Sequence, residues 1–357
     1  MKILVTGNTG YIGPMLAKQL LNSRKDIELI GFDTGYFAHC LTNTDYLPEF
    51  NYKQHWGDLR NFPFNLLDGI DAVVHLAAIS NDPMGRQFEQ VTEDINYNAS
   101  IQIARAAKER GVKSFVFASS CSMYGSTDSG EKSESDELNP LTAYARSKVA
   151  MEKSLEVIAD ENFFVTALRF ATACGMSDRL RLDLVLNDFV AGALTSGEIS
   201  VLSDGTPWRP LIDVKDMSRA IDWALDRFVE LEVPFLPLNA GSQEWNYQVK
   251  DLANAVADII TKTKVSINTN AQVDKRSYRV NFDKFKEYAP NHQPQVTLEH
   301  SINDLMIGLK NMRFSDSNFR TSQYMRLKTL EKHIANNRLN KELRWNDMSH
   351  AKSRSLK

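Results

Sequence analysis

The 357-residue chain is poor in cysteine, with only Cys40, Cys121 and Cys174, far apart and without C-x-x-C spacing. Neither a disulfide framework nor a zinc site is encoded, and no metal is expected. Long apolar runs are missing too: none reaches the roughly eighteen residues of a membrane span. The N-terminus offers only Ile3, Leu4 and Val5 before Thr6 and Gly7, far short of a secretory signal. The expectation is a cytoplasmic protein that engages no membrane. No charge predominates either, since 42 Lys and Arg stand against 45 Asp and Glu for a net charge of −3. A nucleic-acid partner is therefore not expected. Repeats and low-complexity tracts are also absent, which excludes solenoids and disordered linkers.

What remains is an ordinary globular composition, 43% hydrophobic, long enough for two lobes. Short apolar runs alternate with helical periodicity, the mark of βαβ units and a parallel sheet. Strands are predicted over 2–6, 27–32, 71–76, 114–119 and 163–168, and helices over 11–21, 93–111 and 140–160. Asn139 would cap the last of these, with Pro140 in its first turn. Beyond about residue 170 the rhythm is irregular, with helices over 213–228 and 248–263. The fold class is α/β, a Rossmann-type doubly wound parallel sheet with a smaller α/β substrate-binding lobe. Residues 1–170 plus about 211–240 would form the dinucleotide-binding domain, and 171–210 plus 241–320 the smaller lobe. Residues 321–357 would form a basic polar tail, since Arg326 to Lys357 carry nine Lys/Arg against three Asp/Glu. Such a run reads as a solvated tail or an oligomer-contact helix.

Thr6-Gly7-Asn8-Thr9-Gly10-Tyr11-Ile12-Gly13 falls between the first strand and the first helix. There Gly7 permits a tight turn, Gly10 a close backbone approach to a pyrophosphate, and Gly13 close helix packing. The helix N-terminus adds free N–H groups. Asp33 ends the next strand, where a carboxylate accepts from ribose hydroxyls and repels a 2′-phosphate, so NAD is expected over NADP. Gly57-Asp58-Leu59 would hold the adenine amino group or form a simple loop.

Tyr144 and Lys148 lie one helical turn apart on one face. A phenol is a weak base at neutrality unless a cation stabilises the phenolate, a role that falls to Lys148 and the nicotinamide ring. Upstream, Ser119-Ser120-Cys121-Ser122-Met123-Tyr124-Gly125 places hydroxyls at the carboxyl edge of the sheet, where open α/β folds bind ligands.

Together these motifs make the chain resemble the extended short-chain dehydrogenases/reductases, in the branch of NAD-dependent nucleotide-sugar epimerases and dehydratases. The likeness covers roughly residues 1–310 and includes His75-Leu76-Ala77-Ala78, Asn96, Leu168-Arg169-Phe170 and Trp208 to Val214. It implies Ser120 as the catalytic hydroxyl, Tyr144 as proton acceptor and donor, and Lys148 on the nicotinamide ribose, lowering the phenol's pKa. Expected cofactor contacts are Gly7, Thr9, Gly10, Tyr11, Ile12, Gly13, Asp33, Asp58, Leu59, Leu76, Ala77, Ala78, Asn96 and Ser119, with Tyr144 and Lys148. Candidate substrate contacts are Ser80, Ser122, Thr172, Arg181, Asn187, Arg209 and Arg276. The Arg179 to Leu184 stretch would clasp a diphosphate or begin a surface helix. The resemblance also implies a homodimer through paired helices, although the apolar stripes of 94–111 and 140–160 serve equally to pack on a sheet.

Two departures from the family pattern bear on the reaction. Where 4,6-dehydratases carry Asp-Glu after the catalytic hydroxyl, this chain has Cys121 and Ser122, poor substitutes as general acid and base, which argues against a dehydratase. Where many epimerases read Phe-Asn-Pro, it has Ala171-Thr172-Ala173. The expected function is a NAD-dependent nucleotide-sugar epimerase acting through a keto intermediate, at C4 of a hexose. The alternatives are a reductase or dehydrogenase of a 4-keto nucleotide sugar and a non-catalytic NAD-binding regulator.

Overall fold

A computed structural model of the protein describes residues 1–42, 51–126, 130–271 and 277–346. The first part runs β1 (Lys2–Thr6), α1 (Gly13–Ser23), β2 (Glu28–Asp33), β3 (Lys53–Trp56), β4 (Ala72–His75), α2 (Asp82–Gln87), α3 (Glu89–Glu93), α4 (Ser100–Glu109), β5 (Ser114–Ser120), β6 (Glu131–Lys132), α5 (Ala143–Ile158) and β7 (Phe164–Phe170). There follow β8 (Thr172–Cys174), α6 (Val185–Ser196), β9 (Glu198–Val201), β10 (Trp208–Asp213), α7 (Val214–Asp226), β11 (Phe235–Ala240), β12 (Asn246–Gln248), α8 (Val249–Ile259), β13 (Lys264–Ile267), β14 (Arg279–Val280), α9 (Asp283–Tyr288), α10 (Leu298–Asn311) and α11 (Arg326–Ala335).

Seven strands form one sheet in the order β11-β7-β5-β4-β1-β2-β3, and every pairing in it is parallel. The chain leaves β1 toward β2 and β3 on one side and returns to β4 and β5 on the other. That reversal opens a crevice at the carboxyl ends of β1 and β4. Ile3, Leu4 and Val5 are fully buried, as expected of a strand covered on both faces. On one face, Leu16 and Leu20 of α1 pack with Ala220 and Ala224 of α7. On the other, Ala104 of α4 packs with Met151 and Leu155 of α5. A separate core gathers Val190 of α6, Leu252 of α8 and Ile302 of α10.

Four expectations need correction. The edge strands β3 and β11 lie outside the predicted set, because β3 reads Lys-Gln-His-Trp without an apolar run and β11 carries Pro237, which only an edge tolerates. Helix α5 is capped by Thr142, whose hydroxyl accepts from Ala145 N at 3.2 Å, so Pro140 precedes the helix. The predicted 93–111 helix contains a π-helical turn, Asp94–Ala99, before α4. The Ser100 hydroxyl donates to Ile95 O there at 2.8 Å, adding a bond five residues back. The C-terminal segment is not a solvated tail through residue 346. Leu330, Leu339 and Leu343 are buried in the core on the α4 face of the sheet, and Trp345 donates from Nε1 to Thr34 O at 2.7 Å. Lys328 and Lys332 face outward from α11 while Leu330 docks and Arg326 turns inward, which a charge count cannot reveal.

Candidate active site

The crevice at the carboxyl edge holds a cavity whose wall brings together eighteen of the residues singled out from sequence. They are Gly7, Gly10, Tyr11, Ile12, Asp33, Asp58, Leu59, Leu76, Ala77, Ala78, Ser80, Ser119, Ser120, Ser122, Tyr144, Lys148, Thr172 and Arg181. Gly7 adopts φ +74°, and a Cβ there would sit 2.6 Å from Ala77 N. A side chain at Gly13 would come within 1.9 Å of Asn8 O. Only glycines allow β1, the turn and α1 to close this tightly. Helix α1 begins with no side-chain cap and no acidic residue in its first turn. Its amino end is thus left for an anion.

Asp33 closes the β2 end of the cavity. Its Oδ2 accepts from Thr9 N at 3.1 Å and its Oδ1 from Gly35 N at 2.7 Å. Burial pushes this carboxyl up against the pull of those bonds. Asp58 caps a short turn, accepting from Arg60 N at 2.9 Å, and is gripped by the Arg60 guanidinium. Burial opposes its ionisation, but the Arg60 bonds outweigh it and hold the carboxyl below its ordinary range.

The wall formed by Leu76, Ala77 and Ala78 is braced from behind. Buried His75 shares hydrogen bonds with Thr6 Oγ1 at 2.9 Å and Ser100 Oγ at 2.8 Å. Because Ser100 gives its own proton to Ile95 O, the assigned tautomer has hydrogen on Nε2. Burial drops the ring to about 3, so it stays neutral. Asn96 holds Ile79 at both ends, its Oδ1 accepting from Ile79 N at 2.8 Å and its Nδ2 donating to Ile79 O at 3.0 Å. It orders the main chain and is not itself on the cavity wall.

Ser120, Tyr144 and Lys148 meet where β5 ends and α5 begins. The Ser120 hydroxyl donates to Ser122 Oγ at 2.9 Å. Burial pushes the Tyr144 phenol up to about 12, with the Ser120 hydroxyl opposing the shift. Lys148 Nζ donates to Ala118 O at 2.6 Å, and burial brings it down to about 7 despite Glu152. Ser119 donates to Glu152 Oε1 at 2.5 Å. Glu152 also takes a fork from Arg169, whose Nη1 donates to Tyr124 Oη at 3.0 Å.

Several expected contacts lie elsewhere. Fully buried Asn187 accepts from Gly175 N at 2.9 Å and donates to Arg181 O at 2.8 Å, bracing the lobe behind the cavity wall. Arg209 on β10 donates to Trp208 O at 2.9 Å and does not line the cavity. Thr9 and Gly13 sit behind the turn they shape, and Arg276 falls outside the described residues. Arg181 does reach the cavity. It grips Asp183 with two bonds of 3.0 and 2.9 Å and donates to Ser80 Oγ at 3.3 Å. Sequence reading missed Tyr36, Phe37, Tyr278 and Arg326 on the wall. Arg326 is remote in the chain, and only its basic surroundings stood out. Among the described residues no group of three or more His, Cys, Asp or Glu is placed to hold a metal ion, and no helix is long and apolar enough to cross a membrane.

The sequence profile of the NAD dependent epimerase/dehydratase family matches residues 3–241, more than half of the chain. The chain belongs to that family. Its cofactor is NAD, and the glycine turn, the uncapped α1 and Asp33 suit a dinucleotide. Among relatives, an uncharacterized UDP-glucose epimerase YtcB of Bacillus subtilis is 30% identical over 236 residues, 64% of this chain and 73% of that protein. The structure of MoeE5 in complex with UDP-glucuronic acid and NAD is 25% identical, with a TM-score of 0.74 over 87% of this chain and 99% of that one. DesIV, a dTDP-glucose 4,6-dehydratase from Streptomyces venezuelae, is 23% identical with a TM-score of 0.74 over 88% and 98%. Epimerases and a dehydratase thus share this fold, and the choice of reaction rests on the residues of the site.

Proposed function

We propose that this family member is a nucleotide-sugar epimerase that inverts a hexose carbinol, at C4, through a keto intermediate. The observation that carries the reading is the distribution of carboxylates around the cavity. Among the described residues, only Asp33 and Asp58 bring carboxylates to its wall. Asp33 ends β2, three strands from β5, so it lies roughly 14 Å from Ser120 at the usual strand spacing. Beside Ser120, Cys121 is fully buried with its Sγ on Arg169 O at 3.0 Å, and Ser122 carries no acid. Elimination of water needs a general acid and base near the sugar, and among the described residues the cavity wall beside Ser120 carries no carboxylate, Asp82 acting on the Tyr144 phenol from off that wall. The argument from Cys121 and Ser122 against a dehydratase therefore gains support from their placement.

Bound NAD supplies the hydride acceptor and donor in such chemistry. The Tyr144 phenol takes the carbinol proton and later returns it, while the Ser120 hydroxyl hydrogen-bonds the sugar oxygen as it gains carbonyl character. Lys148 lies 5.5 Å from the centre of the Tyr144 ring on the cavity wall and would hold the cofactor's ribose. Arg181, with Ser80, presents donors opposite Tyr144 for the sugar or its phosphates, and Ser122 and Thr172 complete that wall. Hydride returned to the opposite face of the keto sugar would give the epimer without net redox change.

The test incubates protein purified without added nucleotide with UDP-hexoses and follows the sugars by proton NMR and the NADH band. Interconversion of C4 epimers with no lasting NADH signal is expected. Stoichiometric NADH consumption on a 4-keto sugar would replace the epimerase with a reductase. A 4-keto-6-deoxy product would establish a dehydratase, and absence of turnover would point to a regulator.

A further inference from the structure

Arg326 opens α11, 85 residues beyond the segment matched by the family profile, yet its side chain reaches the cavity shared by Gly10, Tyr11 and Asp33. It is only 2% exposed. Its Nη2 donates to Arg179 O at 3.1 Å, and its guanidinium lies 4.5 Å from the centre of the Phe37 ring. Nη1 is buried without a hydrogen-bond partner. A guanidinium stays charged even when burial works against it, and a buried charged donor left open is costly. Asp183 is the carboxylate that acts on it, and Asp183 is already held bidentate by Arg181 and accepts from Asn81 at 2.6 Å. The glycine turn opposite contains no Lys or Arg. The cavity therefore pairs a cationless anion cradle with a buried cation that lacks an anion.

We infer that Arg326 is an anion-binding residue of the cofactor site, its open Nη1 donating to the diphosphate of the dinucleotide. The inference rests on the assignment of NAD to this cavity and adds to it a contact from the C-terminal segment. That segment is fastened to the loop following Asp33. Trp345 donates to Thr34 O at 2.7 Å, His333 Nε2 bonds Tyr36 O at 3.0 Å, and Cys40 Sγ donates to Gln323 O at 3.1 Å. The element carrying Arg326 thus spans the adenosine-ribose side of the cavity. It closes a strap over the cofactor, which retains NAD between turnovers as an epimerase requires.

The shared chemistry is a diphosphate, and a nucleotide sugar carries one as well, so the test separates the two sources. Full-length protein and Arg326→Met are freed of bound nucleotide and titrated calorimetrically with NAD, ADP-ribose, adenosine and UDP. Tenfold to hundredfold weaker binding of NAD and ADP-ribose by the variant is expected, with adenosine and UDP unchanged. The variant relieves an open buried cation but takes a donor from the Arg179 carbonyl, so melting of the nucleotide-free proteins is recorded only to confirm folding and the affinities decide the test. Arg326→Lys should recover part of the ADP-ribose affinity. Should the methionine variant not fold, Arg326→Gln gives the same ratio of affinities. Equal NAD and ADP-ribose affinities would overturn the inference, as would a loss confined to UDP or an equal loss for adenosine. A parent protein that binds no NAD at all would overturn the cofactor assignment itself.

Discussion

The ammonium of Lys148 lies 5.5 Å from the centre of the Tyr144 ring and donates to the Ala118 carbonyl at 2.6 Å. The pair shares one face of α5, as the four-residue spacing requires, but Lys148 is not among the groups that shift the phenol. Burial dominates both side chains, driving the phenol up and the ammonium down. The expectation gave the stabilisation of a phenolate to Lys148 together with the nicotinamide ring, and in the protein without cofactor burial is the largest influence on the phenol. On the proposed reading, a bound oxidised nicotinamide would add the positive charge that favours the Tyr144 phenolate, and Lys148 would hold its ribose.

From this follows the behaviour of Tyr144→Phe. The phenylalanine keeps the ring and its packing but removes the hydroxyl proposed to transfer the proton beside Ser120. Turnover should fall by about 10²–10⁴-fold, the usual worth of a general acid–base, while NAD affinity changes little. Steady-state kinetics together with the NAD content of the purified variant checks this, and near-normal turnover would remove Tyr144 from the proposed role.

Lys148 also makes a stability prediction. Its folded value of about 7 lies below the ordinary 10.5, so between those pH values the unfolded chain binds the extra proton. Stability should rise with pH across that window and be lost as pH falls toward 7. Lys148→Met should remove this slope and raise stability at pH 7 by about 2–4 kcal/mol, at the expense of activity. Urea denaturation at pH 7 and pH 9.5 reads both effects. A parent protein with a flat profile would show that Lys148 is not desolvated as described.

Much of this site was legible because its parts are local in sequence. The Gly7 to Gly13 turn, Asp33, the serine strand end and the Tyr144–Lys148 spacing each occupy one strand–loop or helical turn, where short-range geometry fixes what the side chains can reach. What escaped depends on packing between distant segments. Asn187 looked like a sugar ligand, yet it satisfies the main chain at Gly175 and Arg181. Arg209 carries the right charge, yet it donates to Trp208 O and is not part of the cavity wall. Arg326 arrives only because Leu330, Leu339 and Leu343 dock the C-terminal segment. The edge strands β3 and β11 were hidden for the complementary reason that partial exposure weakens the apolar signal.

The last prediction concerns the buried pair behind Ser119. Arg169 and Glu152 are 6% and 5% exposed and meet at 2.7 Å. The pair also carries Ser119 on one side and Tyr124 on the other. Burial opposes the charge on Arg169, but Glu152 outweighs it and holds the guanidinium above its ordinary value. Glu152→Leu would leave that guanidinium buried and uncompensated, at a cost of about 3–5 kcal/mol. Removing both charges in Arg169→Met with Glu152→Leu should recover most of that loss, because desolvation offsets much of the attraction within the intact pair. The double variant should nevertheless show reduced turnover, since Ser119 then loses its acceptor next to Ser120. Chemical denaturation of both single variants and the double variant forms the cycle. Additive losses would mean that Arg169 and Glu152 are stabilised independently by their other partners, and unchanged turnover would release Ser119 from any part in positioning the reacting corner.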